Sequence, residues 1–271
     1  MRNDLIFLRE KANWVWRRTL ELHREAPEIR IASSLSAVEI FSVLYYGGIL
    51  THFSHKPLHP DRDRLIVSKG HGSICMYPIL ADLGFFPMGE LHRVCRRGSF
   101  LGGIPDPVIP GYETVNGSLG HGLGVATGIA LGCAHAKRDC AVFVVCGDGE
   151  LQEGANWEAI MFASHHRLDG LNLIVDDNAI SMLGRTAEIV NHGDLSKRLN
   201  AFGWDVTVVD GHNTQELLGV FFEMKARHKG QPKAIIAKTI KGHRVPGLEN
   251  APLSHIMSVK PDLIDELLRK L

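Results

Sequence analysis

The stretch from Ala141 to Gly184 limits the possible folds more than any other part of the chain. It opens on the apolar run Ala141-Val142-Phe143-Val144-Val145-Cys146, the composition of a strand buried on both faces of a parallel sheet. The run breaks at Gly147-Asp148-Gly149. Leu151, Ala155, Ala159, Phe162 and Ala163 then recur at helical spacing, and a second buried strand, Leu171 to Val175, ends in Asp176-Asp177-Asn178. A right-handed strand–helix–strand unit brings such strand ends side by side at the carboxyl edge of the sheet. Asp148 and Asn178 therefore arrive together, each with a hard oxygen. Two such oxygens suit magnesium, which takes one or two protein carboxylates and fills its shell with water and phosphate. Gly-Asp-Gly alone is a common turn; its pairing with Asn178 is what points to a metal.

The rest of the chain extends this alternation. Residues 3–25 carry Leu5, Leu8, Ala12, Val15, Thr19 and Leu22 on one helical face, and Pro27 ends the helix. Residues 28–33 read as a loop. Ser34-Leu35-Ser36, with Glu39 three residues after Ser36, reads as the cap of a second helix stopped at Gly47-Gly48. Arg64 to Ser68 is a short buried strand running into Lys69-Gly70-His71-Gly72, with a helix start at Ser73. This strand, glycine turn and helix start make an anion site. Residues 74–98 read as helical with a break near Pro87, and 98–114 as a loop long enough to suggest a function. Gly117 to Gly124 opens a Gly- and Ala-rich helix over 125–137; such an opening serves phosphate binding or close packing equally well. A helix over 194–201, a strand over 205–209, a helix over 214–228, a strand over 233–239, an irregular stretch over 241–258 and a helix over 261–271 complete the chain, the last with Pro261 near its first position. The expected fold is α/β, with a mainly parallel sheet and helices on both faces. Residues 1–271 read as a single domain.

Composition excludes several classes. Thirty basic and thirty acidic residues cancel without blocks of like charge, so no nucleic-acid footprint is indicated. No apolar run reaches membrane-spanning length, and the charged N-terminus has no signal-peptide core. The expectation is a cytoplasmic protein without membrane partners. The five cysteines are scattered, odd in number and without a C-x-x-C, and read as reduced.

With these residues in view, the chain resembles the N-terminal, diphosphate-binding part of transketolase, a thiamine diphosphate enzyme. The resemblance rests on Gly147-Asp148-Gly149 with Asn178, on Leu151-Gln152-Glu153-Gly154, Ser68-Lys69-Gly70-His71 and Gly117-Ser118-Leu119-Gly120, and on Leu248-Glu249-Asn250-Ala251-Pro252 followed by His255. It implies the thiamine-diphosphate-binding fold, with Asp148, Asn178 and the carbonyl of Ile180 holding magnesium, or calcium or manganese in its place. Gly149 would sit against the diphosphate, and Gly117 and Leu119 would offer backbone contacts. His71 and His255 would flank the diphosphate and the thiazolium side as cofactor contacts and proton carriers. Glu153 and Glu158 match acidic residues that couple cofactor sites across subunits; for Glu158 a solvated helix face is the competing reading. The implied reaction transfers a two-carbon ketol unit between ketose and aldose, the cofactor serving as electron sink.

The chain stops where full-length transketolases continue into a pyrimidine-binding domain that carries the activating glutamate. The resemblance therefore implies one half of a split enzyme, active only with a C-terminal partner subunit in a two-plus-two assembly. Four positions depart from the family: His121 stands for a frequent glutamine, Arg244 for a frequent glycine, and two more bear on the substrate. Arg30 and Ile104 stand where substrate-facing histidines are expected, which points to an unusual or acidic sugar gripped by the guanidinium. Arg30 as a plain surface-loop residue is the competing reading. A two-chain α-ketoacid dehydrogenase-like acyl transferase and a non-catalytic scaffold subunit are the alternative functions.

Overall fold

The computed structural model describes residues 2–226 and 229–270 and, at its centre, a sheet of five parallel strands. These are β1 (Arg64–Val67), β2 (Val142–Gly147), β3 (Leu171–Asp177), β4 (Asp205–Asp210) and β5 (Lys233–Lys238), in the spatial order β1-β2-β3-β5-β4. Parallel strands require crossovers, and helices supply them on both faces. The alternation of side chains along each strand divides the interior in two. Val67, Phe143, Val145, Ile174 and Ile235 face one core with helices α1 (Arg2–Glu25), α3 (Val38–Tyr46), α4 (Met76–Asp82) and α9 (Thr214–Ala226). Ile66, Val142, Val144, Leu173, Val175 and Ile236 face the other, with α5 (Gly122–His135), α6 (Gly154–His165) and α8 (Leu195–Ala201). The remaining helices are short: α2 (Ile31–Leu35), α7 (Thr186–Ile189) and the closing α10 (Pro261–Arg269).

The expected α/β architecture is thus present, and the register sets what the carboxyl edge displays. Gly147 pairs with Asp176, and Asp177 with Lys238, so the ends of β2, β3 and β5 lie level. Helix α5 comes close to β1 because its first residue is glycine: a Cβ on Gly122 would stand 2.5 Å from the Ser68 side chain. Gly122, and Gly120 against Glu153, therefore serve close packing, whereas Gly117 and Gly124 face open space. Asp194 caps α8 as its position suggested, accepting from the amides of Ser196 and Lys197.

Several local expectations are corrected. The segment read as a loop over 28–33 turns helical at Ile31, and Ser36 ends α2 instead of capping α3, whose N-cap position is Ala37. Its hydroxyl instead donates to Ser33 O and to Asp176 Oδ2, because a buried carboxylate outcompetes a helix end for donors. Glu39 pairs with His212 rather than closing a capping box. The long helix expected over 74–98 is one helix of seven residues, α4, followed after Pro87 by a single tight turn over Met88–Arg93. The helix expected at Ser73 begins at Met76, after a tight turn at Gly70–Gly72. The cysteines are not all reduced: Cys133 and Cys140 form a disulfide, brought together when the chain reverses after α5 through Lys137 in the left-handed region. Cys75, Cys95 and Cys146 are free. The helix expected over 214–228 is described to Ala226; Arg227 and His228 lie outside the described residues, as do Met1 and Leu271.

Candidate active site

A cleft of about 720 Å³ opens over the carboxyl edge of the sheet. Asp148, Gly149, Asn178 and Ile180 line one part of it, from the ends of β2 and β3. His71, from the turn after β1, and His255, from the irregular stretch after β5, line another, with their ring centroids 4.7 Å apart. Gly117, Leu119, Glu153, Arg30 and Ile104 border the same cleft. Residues far apart in sequence and singled out one by one are therefore brought together. Glu158 is not among them; it is exposed on α6, consistent with a solvated helix face.

The Asp148 end is built to receive positive charge. The carboxylate is 3% exposed, and burial, with Asp177 and Asp176 nearby, pushes its pKa up to about 6. Its protein partners are neutral: Thr186 Oγ1 donates to Oδ2 at 2.6 Å. Asn178 is oriented at both ends of its amide, Nδ2 donating to Asp176 and Oδ1 accepting from the Ile180 amide at 3.2 Å. One carboxylate, one amide oxygen and one backbone carbonyl form a hard-oxygen set, which fits a magnesium-sized ion.

Cations ring the histidine end. Lys241, unmarked by the sequence reading, is buried and donates to Ile180 O at 2.7 Å while standing 3.5 Å from His255 Nδ1. Burial and Lys69 lower its pKa to about 8. Lys69 is wholly enclosed and ion-pairs with Asp176, which also accepts from Ser36 and Thr239. Burial, Lys241, Arg30 and Lys69 in turn hold His255 near 4, and burial, Lys69 and His255 hold His71 well below its ordinary value. Both rings are neutral at physiological pH and able to accept protons. The signal for Lys241 was present: it lies just past the end of a buried strand, Lys233–Lys238, at the same sheet edge where the adjacent β3 delivers Asn178 and the next strand, β2, delivers Asp148. Nothing in the local sequence announced Thr186, and Lys69 was marked only as part of the turn after β1, because each acts through a partner distant along the chain.

Fold and cleft together define an α/β protein that takes its ligand at the carboxyl edge of a parallel sheet. Residues 30–271 match the family model described as transketolase, thiamine diphosphate binding domain, and the chain belongs to that family. It is 36% identical over 264 residues to a Clostridium protein named 6-deoxy-6-sulfo-D-fructose transketolase subunit SqwG, covering 97% of this chain and 95% of that one. It is 38% identical over 243 residues to the transketolase of Pongo abelii, covering 88% of this chain and 38% of that protein. The solved transketolase of Campylobacter jejuni superposes with a TM-score of 0.91 at 30% identity, over 97% of this chain and 42% of that one. The chain thus spans well under half the length of these transketolases and nearly all of the SqwG subunit.

Proposed function

We propose that this chain is the diphosphate-binding subunit of a two-chain transketolase. It transfers a two-carbon ketol unit from a ketose to an aldose together with a partner subunit that carries the pyrimidine-binding domain. The observation that carries the reading is the convergence of Asp148, Asn178, Ile180, His71 and His255 on one cleft, in a chain with the same extent as a known transketolase subunit. The matches to transketolases leave the α-ketoacid dehydrogenase alternative without support, and the shaped, charged cleft argues against a mere scaffold.

Asp148, Asn178 and the Ile180 carbonyl would hold magnesium, with Gly149, Gly117 and Leu119 along the diphosphate. Thiamine diphosphate, when bound, supplies a thiazolium carbon that lets the bond beside a ketose carbonyl break. The chain's own residues bind, orient and carry protons. Lys241 offers a buried positive charge to the diphosphate. With His255 Nδ1 turned to Lys241, its Nε2 is the nitrogen left for a substrate hydroxyl, and His71 stands beside it as a second neutral acceptor. Glu153 borders the cleft from the segment that leads into α6, where it would meet the partner. Arg30, close enough to His255 to depress its pKa, would grip an anionic sugar, a reading supported by the sulfosugar in the Clostridium subunit's name. Ile104 would exclude donor contacts that a histidine makes.

The cleft is rimmed by exposed apolar side chains, among them Leu183, which is 71% exposed, Met182, Ile104 and Ile189. Surface of this kind marks an interaction site, and the pyrimidine-domain partner is the occupant we assign, in a two-plus-two assembly. No helix among the described residues is long and apolar enough to cross a membrane, which accords with a cytoplasmic setting. Residues 1–271 are read as one domain. The test is reconstitution: the chain with its partner, thiamine diphosphate and magnesium should consume ketoses and not α-ketoacids, and the chain alone should do neither. Ketol transfer by the purified chain alone would sink the two-chain reading.

A further inference from the structure

Hydrogen bonds at its amide, its carbonyl and its carboxylate hold Asp148 from outside the cleft. Its amide donates to Asp176 O at 3.2 Å. Its carbonyl accepts from His192 Nε2 at 3.0 Å; a carbonyl can only accept, so that nitrogen carries the proton. Its Oδ2 accepts from Thr186 Oγ1 at 2.6 Å. Thr186 is buried, and its own backbone is tied down, the amide donating to Ala179 O at 3.0 Å and the carbonyl accepting from Gln152 Nε2 at 3.4 Å. The geometry comes from a small hairpin. Ile180 bridges antiparallel to Arg185, and Ser181 N donates to Gly184 O, so the chain leaves β3, presents the Ile180 carbonyl and returns with Thr186 behind Asp148. One hairpin therefore supplies both a backbone oxygen for the cleft and the hydroxyl that fixes the facing carboxylate.

We infer that Thr186 is a positioning residue that makes Asp148 offer a cation one oxygen only, and that it thereby selects magnesium over calcium. The inference rests on the metal reading above. Magnesium demands near-ideal octahedral geometry and is served by monodentate carboxylates; calcium accepts six to eight oxygens and takes carboxylates in either mode. While Oδ2 holds the Thr186 hydroxyl, chelation through both oxygens competes with a short, charge-assisted bond for the charge and orientation of that oxygen. Removing the hydroxyl frees Oδ2 and the rotation of the carboxylate. Magnesium loses a fixed ligand, whereas calcium gains a second oxygen to offset the same loss. Groups that orient a metal ligand typically account for about 10–100-fold in affinity.

The experiment is calorimetric titration of Mg²⁺ and of Ca²⁺ into the two-chain protein with thiamine diphosphate, for wild type, Thr186→Val and Thr186→Ser. Valine keeps the shape and removes the donor; serine keeps the donor. The expected result is a magnesium affinity about 10–100-fold weaker in Thr186→Val, with calcium affinity changed much less and the wild-type preference restored in Thr186→Ser. Equal weakening of both ions, or an unchanged magnesium-to-calcium ratio in Thr186→Val, overturns the inference. Melting of the metal-free proteins checks the fold, and if valine does not fold, Thr186→Ala reads the same ratio. A wild-type complex with no divalent-dependent cofactor binding would instead overturn the metal reading itself, a separate outcome.

Discussion

The Lys241 ammonium donates to the Ile180 carbonyl at 2.7 Å, so one buried cation links the loop after β3 to the irregular stretch that carries His255. In our reading that carbonyl belongs to the metal. With a metal on that oxygen, Lys241 would be free to offer its charge to the phosphates instead.

Loss of that charge should weaken the cofactor specifically. Lys241→Met should reduce thiamine diphosphate affinity by about 1.5–3 kcal/mol, the usual worth of a hydrogen bond to a charged group, or roughly 10–100-fold. Because the lysine pKa is lowered to about 8, wild-type affinity should also fall as pH rises from 7 to 9, as the ammonium deprotonates. The methionine variant should lack that fall. Calorimetry across pH reads both, and parallel pH profiles would count against the assignment.

The enclosed Lys69–Asp176 pair should respond as buried ion pairs do. Asp176→Asn leaves the ammonium uncompensated and should cost about 3–5 kcal/mol, whereas removing both charges costs less than the sum of the single changes. The single variant Lys69→Met and the double variant Lys69→Met/Asp176→Asn complete the cycle, read by urea unfolding. Strict additivity would mean that the two groups do not stabilise one another.

Acid should loosen the join between α1 and the C-terminal segment. His23 Nε2 accepts from the Val259 amide and contacts Ser258 Oγ, both at 3.0 Å, and burial lowers its pKa to about 4. The unfolded chain binds this proton near pH 6.5, the folded one only near 4. The unfolded state therefore holds more protons within that window, and stability is lost as pH falls from 6.5 toward 4. The contribution is on the order of 1–3 kcal/mol. His23→Gln keeps an acceptor that does not titrate, so its melting temperature should fall less than that of wild type between pH 6.5 and 4.5.

Arg30 gives a paired kinetic expectation. In the reconstituted enzyme, Arg30→Ala should raise KM for anionic ketoses roughly 10–100-fold, the worth of about 1.5–3 kcal/mol for a charge-assisted contact, and leave neutral donors nearly untouched. Removing a cation that depresses the His255 pKa should also move the acid limb of kcat/KM to higher pH. If Arg30→His keeps wild-type kinetics on every donor, the guanidinium is a surface group and not a specificity determinant.

Much of the fold was legible because strands buried on both faces can be little else. Val142 to Cys146, Leu171 to Val175 and Lys233 to Thr239 announced themselves by short, largely apolar runs rich in β-branched residues. The errors gathered where local signals compete with distant ones. Ser34-Leu35-Ser36 has the pattern of a cap, yet Ser36 turns to Asp176, a partner reached only once β3 is in place. Residues 74–98 carry helical periodicity, yet Pro87 and the packing of α4 leave only seven residues in that helix. The Cys133–Cys140 bridge depends on a reversal after α5 that composition does not encode.

The same division holds at the site. Residue types and spacing alone determined that Asp148 and Asn178 would stand together, because parallel register places consecutive strand ends level at one edge. The resemblance to transketolase, and not spacing, marked His71, His255 and Arg30 as candidates. Tertiary structure alone decided that Lys241 touches the Ile180 carbonyl, that Lys69 is enclosed with Asp176, and that Thr186 stands behind Asp148. These are contacts between side chains and groups brought together by crossovers and hairpins. Their strength comes from burial, which removes water as a competing partner, and burial is a property of the folded chain and not of any stretch of it.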